Sequence, residues 1–394
     1  MSKNRLIWKY LGYIIKKNDL SKIQWGLGTK NMNITFLIGN GFDRNLGLNT
    51  TYADFIKYYK TTEGGSKILE TFRQHINDNE ELWRDAEVAL GKYTEDFETG
   101  NGMAFSECHQ DLCEHLVEYL KKEESRLAFD NTTENILAAF QNITTPEVPF
   151  PTQEKNTIRE VFNRYKHENY NFDFICFNYT STLDKCLEIV KNSTGALGQH
   201  RHGNNVYSHT IRQLCHVHGT LEKEIVFAVN DENQIAKPDI FDFEDGEICK
   251  HLLIKQQANE SYQENTDTKA RQLLQNSTII YIYGMSLGET DALWWNRICN
   301  WLRADNSRHL IIQNFSMSKK GVYQLPYLLA EKRKKKEILA FSDFDDETKT
   351  LLMKRIHITG DNIFSGIKDI AIADVFESAT EESLAEVITT EQAM

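Results

Sequence analysis

Nothing in the 394-residue chain comes near the roughly 18 to 20 uninterrupted apolar residues that a membrane helix needs. Its apolar runs are strand-sized, as at Phe36–Ile38 and Ile279–Tyr283. Membrane channels are excluded, and no membrane partner is expected. Cysteine is sparse and unpatterned: seven thiols stand at irregular spacing, with no C-x-x-C pair and no secretory signal. That predicts reduced thiols in a cytoplasmic protein rather than a disulfide frame. Internal repeats and low-complexity segments are missing too, and 40% apolar with 26% charged residues excludes a disordered or collagenous chain. Net positive charge is also lacking. At -12 the chain has no general attraction to nucleic acid or anionic membrane, although a local basic patch stays open.

The charge is unevenly placed. Residues 1–31 hold six Lys and Arg5 against Asp19, a net of +6 that leaves -18 for the remainder. This basic segment reads as an extension, either a surface helix or a leader before a start at Met32, where a domain-like sequence opens. Residues 371–394 carry six acidic side chains and no Lys or Arg, an acidic tail closing a C-terminal region 341–394.

Between them, strand signals at Ile34–Ile38, Phe172–Phe177, Leu214–Val217, Ile225–Val229, Thr278–Tyr283 and His309–Gln313 alternate with helix signals at Tyr52–Tyr59, Leu183–Val190, Ala292–Leu302 and Tyr323–Phe341. Strands alternating with helices predict an α/β fold with a doubly wound, mostly parallel, Rossmann-like sheet over 32–65 and 167–340. Residues 66–166 read as a helical insert, with apolar positions three and four apart.

Four strand-end loops carry the chemistry. Gly39-Asn40-Gly41-Phe42-Asp43 places two glycines where backbone can approach a phosphate and a following helix can turn its N–H groups toward it. The third glycine of a dinucleotide fingerprint is replaced by Arg44, and such glycines also serve φ > 0 where nothing binds. In Phe177-Asn178-Tyr179-Thr180-Ser181-Thr182-Leu183-Asp184, Asn178 can donate and accept toward a ribose hydroxyl or a water. The hydroxyls there can equally cap the next helix, with Asp184 in its first turn, at about 1 kcal/mol.

Cys215-His216-Val217-His218-Gly219 reads as a strand end with both histidines on one face. His218 beside Gly219 is the general-base candidate. With no spaced second ligand pair, His200, His202 and His209 do not make a zinc site, and no metal is expected. The fourth loop brings Gly284, Ser286, Glu289 and Asp291, where either acid can hold a ribose diol or simply charge a helix N-terminus. The run Lys332–Lys336 reads as a solvated helix face, with nucleic-acid contact as the alternative.

Taken together, Phe36–Asp43, Gly47-Leu48, Thr51–Phe55, Trp83–Glu87, Phe177–Thr180 and His218-Gly219 resemble the phage abortive-infection AbiH family, from about Met32 to Asn314. AbiH-type domains in turn look distantly like the sirtuin-like NAD-binding fold. That resemblance implies a phosphate loop at Gly39 and Gly41, an Asp-Phe pair at Asp54-Phe55 near a nicotinamide pocket, Asn178 on the ribose side, His218 as catalytic histidine and Ser286 at the adenosine ribose. The paired cysteines of a deacetylase zinc ribbon are missing, so protein deacetylation is not expected.

The resulting expectation is an antiphage effector that binds NAD and hydrolyses its nicotinamide N-glycosidic bond, with His218 and Asn178 catalytic and no cofactor required. Gly39, Asn40, Gly41, Phe42, Asp43, Asp54, Phe55, Tyr179, Thr180, Gly284, Ser286, Glu289 and Asp291 would hold the ligand. The alternatives are a sensor of NAD or ADP-ribose that controls a partner without cleavage, and a nucleic-acid effector. A phage-derived trigger, a defence-system partner and homo-oligomers are compatible with each.

Overall fold

Strand β1, Met32–Ile38, lies at the centre of a seven-stranded sheet because its apolar, β-branched and aromatic residues can be buried on both faces. The others are β2 (Tyr170–Cys176), β3 (Gly198–His202), β4 (Asn205–His216), β5 (Ile279–Tyr283), β6 (His309–Gln313) and β7 (Ile356–Thr359), in the order β3-β4-β2-β1-β5-β6-β7. Only β3 runs antiparallel, as a hairpin with β4. The computed structural model describes residues 31–129, 132–262, 265–317 and 324–371. The basic extension, apart from Asn31, and the acidic tail beyond Ala371 lie outside them.

Alternation along the strands divides the core in two. Phe36, Phe174 and Tyr281 stack across three neighbouring strands, with Phe36 centroids 5.6 and 4.9 Å from the other two rings. The helices Thr133–Asn142, Thr152–Arg164 and Thr182–Thr194 cover that face through residues such as Phe140, Val161 and Leu187. The opposite face, with Leu37, Ile175 and Ile282, is covered by Thr266–Gln275, Ala292–Ala304 and Leu325–Leu339. This is a mixed α/β architecture with a mostly parallel sheet, as the alternating signals predict.

A further apolar core joins the helices Tyr52–Tyr59, Lys67–Asp78, Ala86–Tyr93 and Gly102–Ser125 to the segment Leu221–Ile254. Ile225–Val229, buried from Val226 onward, forms no strand, making only isolated bridges from Gly219 to Ile225 and from Val229 to Ile254. Phe227 and Val229 enter this core built mainly of helices, while Val226 and Ala228 pack on Ala258, burial that periodicity alone does not separate from a sheet.

Among the described residues no helix is long and apolar enough to cross a membrane.

Candidate functional site

The loops that leave the C-terminal ends of β1, β2, β4, β5 and β6 surround a cavity of about 650 Å³. Its base is a backbone crossing. Gly39 N donates to the Tyr283 carbonyl and Gly41 N to the Gly284 carbonyl, both at 2.9 Å. A Cβ added at Gly39 would lie 2.7 Å from Gly284 O, and one at Gly284 would lie 2.6 Å from Gly41 Cα. The glycines thus have a packing reason before any ligand. Gly284 has φ +70°, but neither Gly39 nor Gly41 lies at positive φ, so close approach rather than left-handed backbone explains them. The helix that follows is a single turn, Gly41–Asn45, instead of an extended dipole aimed at a phosphate.

Asp43, in that turn, is fully buried and accepts hydrogen bonds from Thr180 Oγ1 at 2.6 Å and Thr182 Oγ1 at 2.5 Å. Burial raises its pKa to about 6, against the lowering effect of those hydroxyls. The capping alternative for this loop does not hold: Ser181 is the N-cap of Thr182–Thr194 and makes no side-chain cap bond, while its hydroxyl and N–H bind Glu124. Asp184 does stand in the first turn of that helix, where it also pairs with His216 Nε2 at 2.9 Å, and His216 Nδ1 donates to the Asn178 carbonyl at 3.0 Å. Asn178 is 6% exposed. Its amide stands near enough to Asp43 to favour the carboxylate, yet Nδ2 completes no hydrogen bond.

His218 lies just beyond β4 rather than on it, and it lines the cavity while His216 does not. Gly219 makes the turn possible, with φ +78° and no room for a Cβ beside the Glu224 carbonyl. His218 Nδ1 donates to the Phe177 carbonyl at 3.2 Å, which leaves Nε2 as the acceptor. Burial, reinforced by Lys255, holds its pKa well below the usual histidine range, so the ring is neutral at physiological pH.

Lys255 is the centre of a buried ionic group. Its N–H donates to Val229 O at 2.9 Å, and its Nζ reaches Glu87 Oε2 at 2.8 Å, Thr290 O at 3.0 Å and Asp291 Oδ1 at 3.7 Å. Glu87 Oε1 accepts from the Tyr52 hydroxyl at 2.9 Å, which stands 3.4 Å from the Tyr179 hydroxyl. Burial raises Glu87 to about 6 despite Lys255. Burial works against the Lys255 charge as well, but Glu87 and Asp291 outweigh it and raise that pKa.

Eleven of the expected residues line the cavity: Gly39, Asn40, Gly41, Asp43, Asn178, Tyr179, Thr180, His218, Gly284, Ser286 and Asp291. Phe42, Asp54 and Phe55 do not. Phe42 packs edge-on against Phe364, Phe55 lies in the helical core, and Asp54 closes a capping box with Thr51 on Tyr52–Tyr59, a bond set worth about 1 kcal/mol. Glu289 belongs to the turn Glu289–Asp291.

Sequence reasoning missed Lys255 and Gln313, and it quoted Tyr52 and Glu87 only as motif positions; all four line the cavity. Each polar residue beside a buried apolar run was a usable signal: Lys255 follows Leu252–Ile254, and Gln313 ends His309–Gln313. Gln313 is 4% exposed and its Nε2 has no partner. Lys334 bridges to Glu337 at 3.4 Å and Lys335 to Glu331 at 2.6 Å, which weakens the basic run as a nucleic-acid surface. Among the described residues no group of three or more His, Cys, Asp or Glu is placed to hold a metal ion.

The raised carboxylate Asp43 predicts a measurable pH effect. Because its folded pKa of about 6 exceeds the ordinary 3.8, its contribution to stability is fullest below the ordinary value and is lost as pH rises through 6. The stability of Asp43→Asn relative to the parent should therefore improve by about 2–3 kcal/mol between pH 3.5 and pH 8, read by urea unfolding. A pH-independent difference would show that Asp43 is solvated.

No curated protein and no solved structure matches the chain. The family model described as "Bacteriophage abortive infection AbiH" matches residues 35–313, a span that runs from within β1 to the end of β6 and holds the lining glycines, Asn178, His218 and Lys255. The chain belongs to the bacteriophage abortive infection AbiH family.

Proposed function

We propose that the cavity binds a nicotinamide dinucleotide and hydrolyses its N-glycosidic bond as the effector step of antiphage defence. The observation that carries this reading is the meeting, in one cavity, of the Gly39–Gly41 and Gly284 loops with two unpaired buried amides, Asn178 Nδ2 and Gln313 Nε2. Counted along the chain, the parallel strands lie in the order third, second, first, fourth, fifth, sixth. The order reverses between β1 and β5, and doubly wound sheets take dinucleotides at that point, which supports the Rossmann-like, sirtuin-like refinement of the fold. Buried amides without partners cost stability until a ligand accepts from them.

In the proposed reaction a water oxygen bonds to the anomeric carbon as the C–N bond breaks. Nicotinamide leaves as a neutral base with the bonding pair. The ribose passes through an oxocarbenium-like state, for which nearby carboxylates are the natural stabilisers. His218 Nε2 takes the water proton, and Asn178 orients the ribose hydroxyl.

His218→Ala is then expected to lower nicotinamide release by about 10²-fold or more with the fold intact. His216→Ala should mainly lower the melting temperature, because it unpairs Asp184 and the Asn178 carbonyl. Kinetics and thermal melts on both variants check the ranking, and the reverse ranking assigns the base to the wrong histidine. For binding itself, titration calorimetry with NAD on Asn178→Ala should show the affinity lost in a folded protein. Undiminished affinity would remove Asn178 from the site.

A further inference from the structure

We infer that the cavity selects a nucleotide whose base is an aromatic cation, the oxidised pyridinium form, over the same nucleotide with a neutral base. This rests on the nicotinamide dinucleotide reading and adds the charge state of the ligand. The buried lining is unevenly charged. The buried Glu87 and Asp43 and the half-buried Asp291 are matched by a single ammonium, Lys255, which bonds Glu87 at 2.8 Å and stands 3.7 Å from Asp291. Asp43 meets no cation: its surroundings are the neutral Thr180 and Thr182 hydroxyls and the nearby Asn178 amide.

Asp291 Oδ1 is buried with no hydrogen bond, so a carboxylate oxygen there lacks a close partner. His218 does not supply the missing charge, because its Nδ1–H binds the Phe177 carbonyl and its burial beside Lys255 keeps the ring neutral.

The same region offers aromatic faces. Phe177 and Tyr179 lie 5.5 and 6.2 Å from the His218 ring, centroid to centroid, and Tyr52 joins Tyr179 to Glu87. Carboxylates and aromatic faces together are the surroundings an aromatic cation finds favourable. The exposed lining has the opposite sign. Arg44 and Arg84 lie there with the partly exposed Lys334, against the one exposed carboxylate Asp85; Arg84 also pairs with Glu81, and guanidinium groups suit a diphosphate.

A ligand with a cationic ring at one end and an anionic bridge matches both halves of the cavity. A neutral dihydropyridine ring would leave the buried carboxylates without compensation, which is costly in a low-dielectric site. The unpaired amides of Asn178 and Gln313 in the same cavity point independently to a polar ligand.

The test is equilibrium binding to the full chain of two probes, carba-NAD⁺, whose carbocyclic ring prevents cleavage, and NADH. Their rings differ chiefly by one positive charge. The parent should bind carba-NAD⁺ at least about tenfold more tightly than NADH. Glu87→Gln should reduce that preference to under about threefold, by weakening carba-NAD⁺ binding and relieving the charge cost that NADH meets. Asp291→Asn repeats the readout should Glu87→Gln fail to fold, and thermal melts establish which variants do.

Equal affinities in the parent overturn the inference while leaving the dinucleotide reading standing. An unchanged preference in a folded variant of this pair overturns the assignment of selectivity to these carboxylates. If the folded parent binds neither probe, the dinucleotide reading fails and the inference with it.

Discussion

Replacing Lys255 by methionine is expected to cost the fold about 3–5 kcal/mol, the scale for breaking a buried ion pair from one side. Methionine nearly fills the space of the lysine stem, so the loss is electrostatic rather than a cavity effect. The substitution leaves Glu87 and Asp291 together in the cavity wall with no cation between them. It also removes the donor to the Thr290 carbonyl.

The cost should depend on pH in a defined direction. Glu87 has its pKa raised to about 6, so it is protonated and undemanding at pH 5, whereas at pH 8 it is a carboxylate that needs the ammonium. Lys255→Met should therefore be milder at pH 5 than at pH 8, and the double variant Glu87→Gln, Lys255→Met should recover much of the loss by removing the orphaned charge. Urea unfolding of the two single variants and the double gives the coupling directly. A Lys255→Met cost under about 1 kcal/mol at pH 8 would mean that water compensates the group.

The second large effect is expected at Gly41. Valine there drives a Cβ into Gly284 Cα, and the obstacle is backbone belonging to a neighbouring strand end, which cannot rotate away as a side chain could. Both loops are also tied by the hydrogen bond from Gly41 N to Gly284 O. A cost above about 3 kcal/mol follows, beyond ordinary overpacking, and it reads as loss of soluble folded protein or a collapsed melting temperature. Asn178→Ala provides the contrast: it deletes a buried donor that has no partner, so it should keep or slightly raise stability. A Gly41→Val protein that melts like the parent would show that the two loops separate easily, and the cavity would lose its fixed base.

What was legible in the sequence follows from periodicity and from strand ends. Tyr52–Tyr59 and His309–Gln313 have the same limits in the sequence reading and in the fold, the first with a Thr51/Asp54 capping box and the second a wholly buried run. Gly39, Asn178, His218 and Gly284 stand at or just beyond the ends of different strands, and parallel strands carry those ends to one edge.

Long-range pairing was not legible. The hairpin of β3 and β4 is built from alternately exposed, largely polar residues such as Gln199, Arg201, Ser208 and Thr210, which give no apolar run to read. Lys255 shows in the sequence only as a polar residue after an apolar run, and its partners Glu87 and Asp291, distant in the chain, meet it only in the folded protein. The sequence reads Gly39 and Gly41 as room for a phosphate, with φ > 0 as the alternative, and neither glycine lies at positive φ. Their reason is Gly284, which is contributed by another strand.

The measurement that most directly tests the central claim is incubation of the purified full chain with NAD, following nicotinamide by proton NMR. The account predicts that nicotinamide and ADP-ribose appear in equal amounts, with the rate falling about 10²-fold in His218→Ala. Intact NAD after prolonged incubation with folded protein that binds it would contradict hydrolysis and make the cavity a sensor.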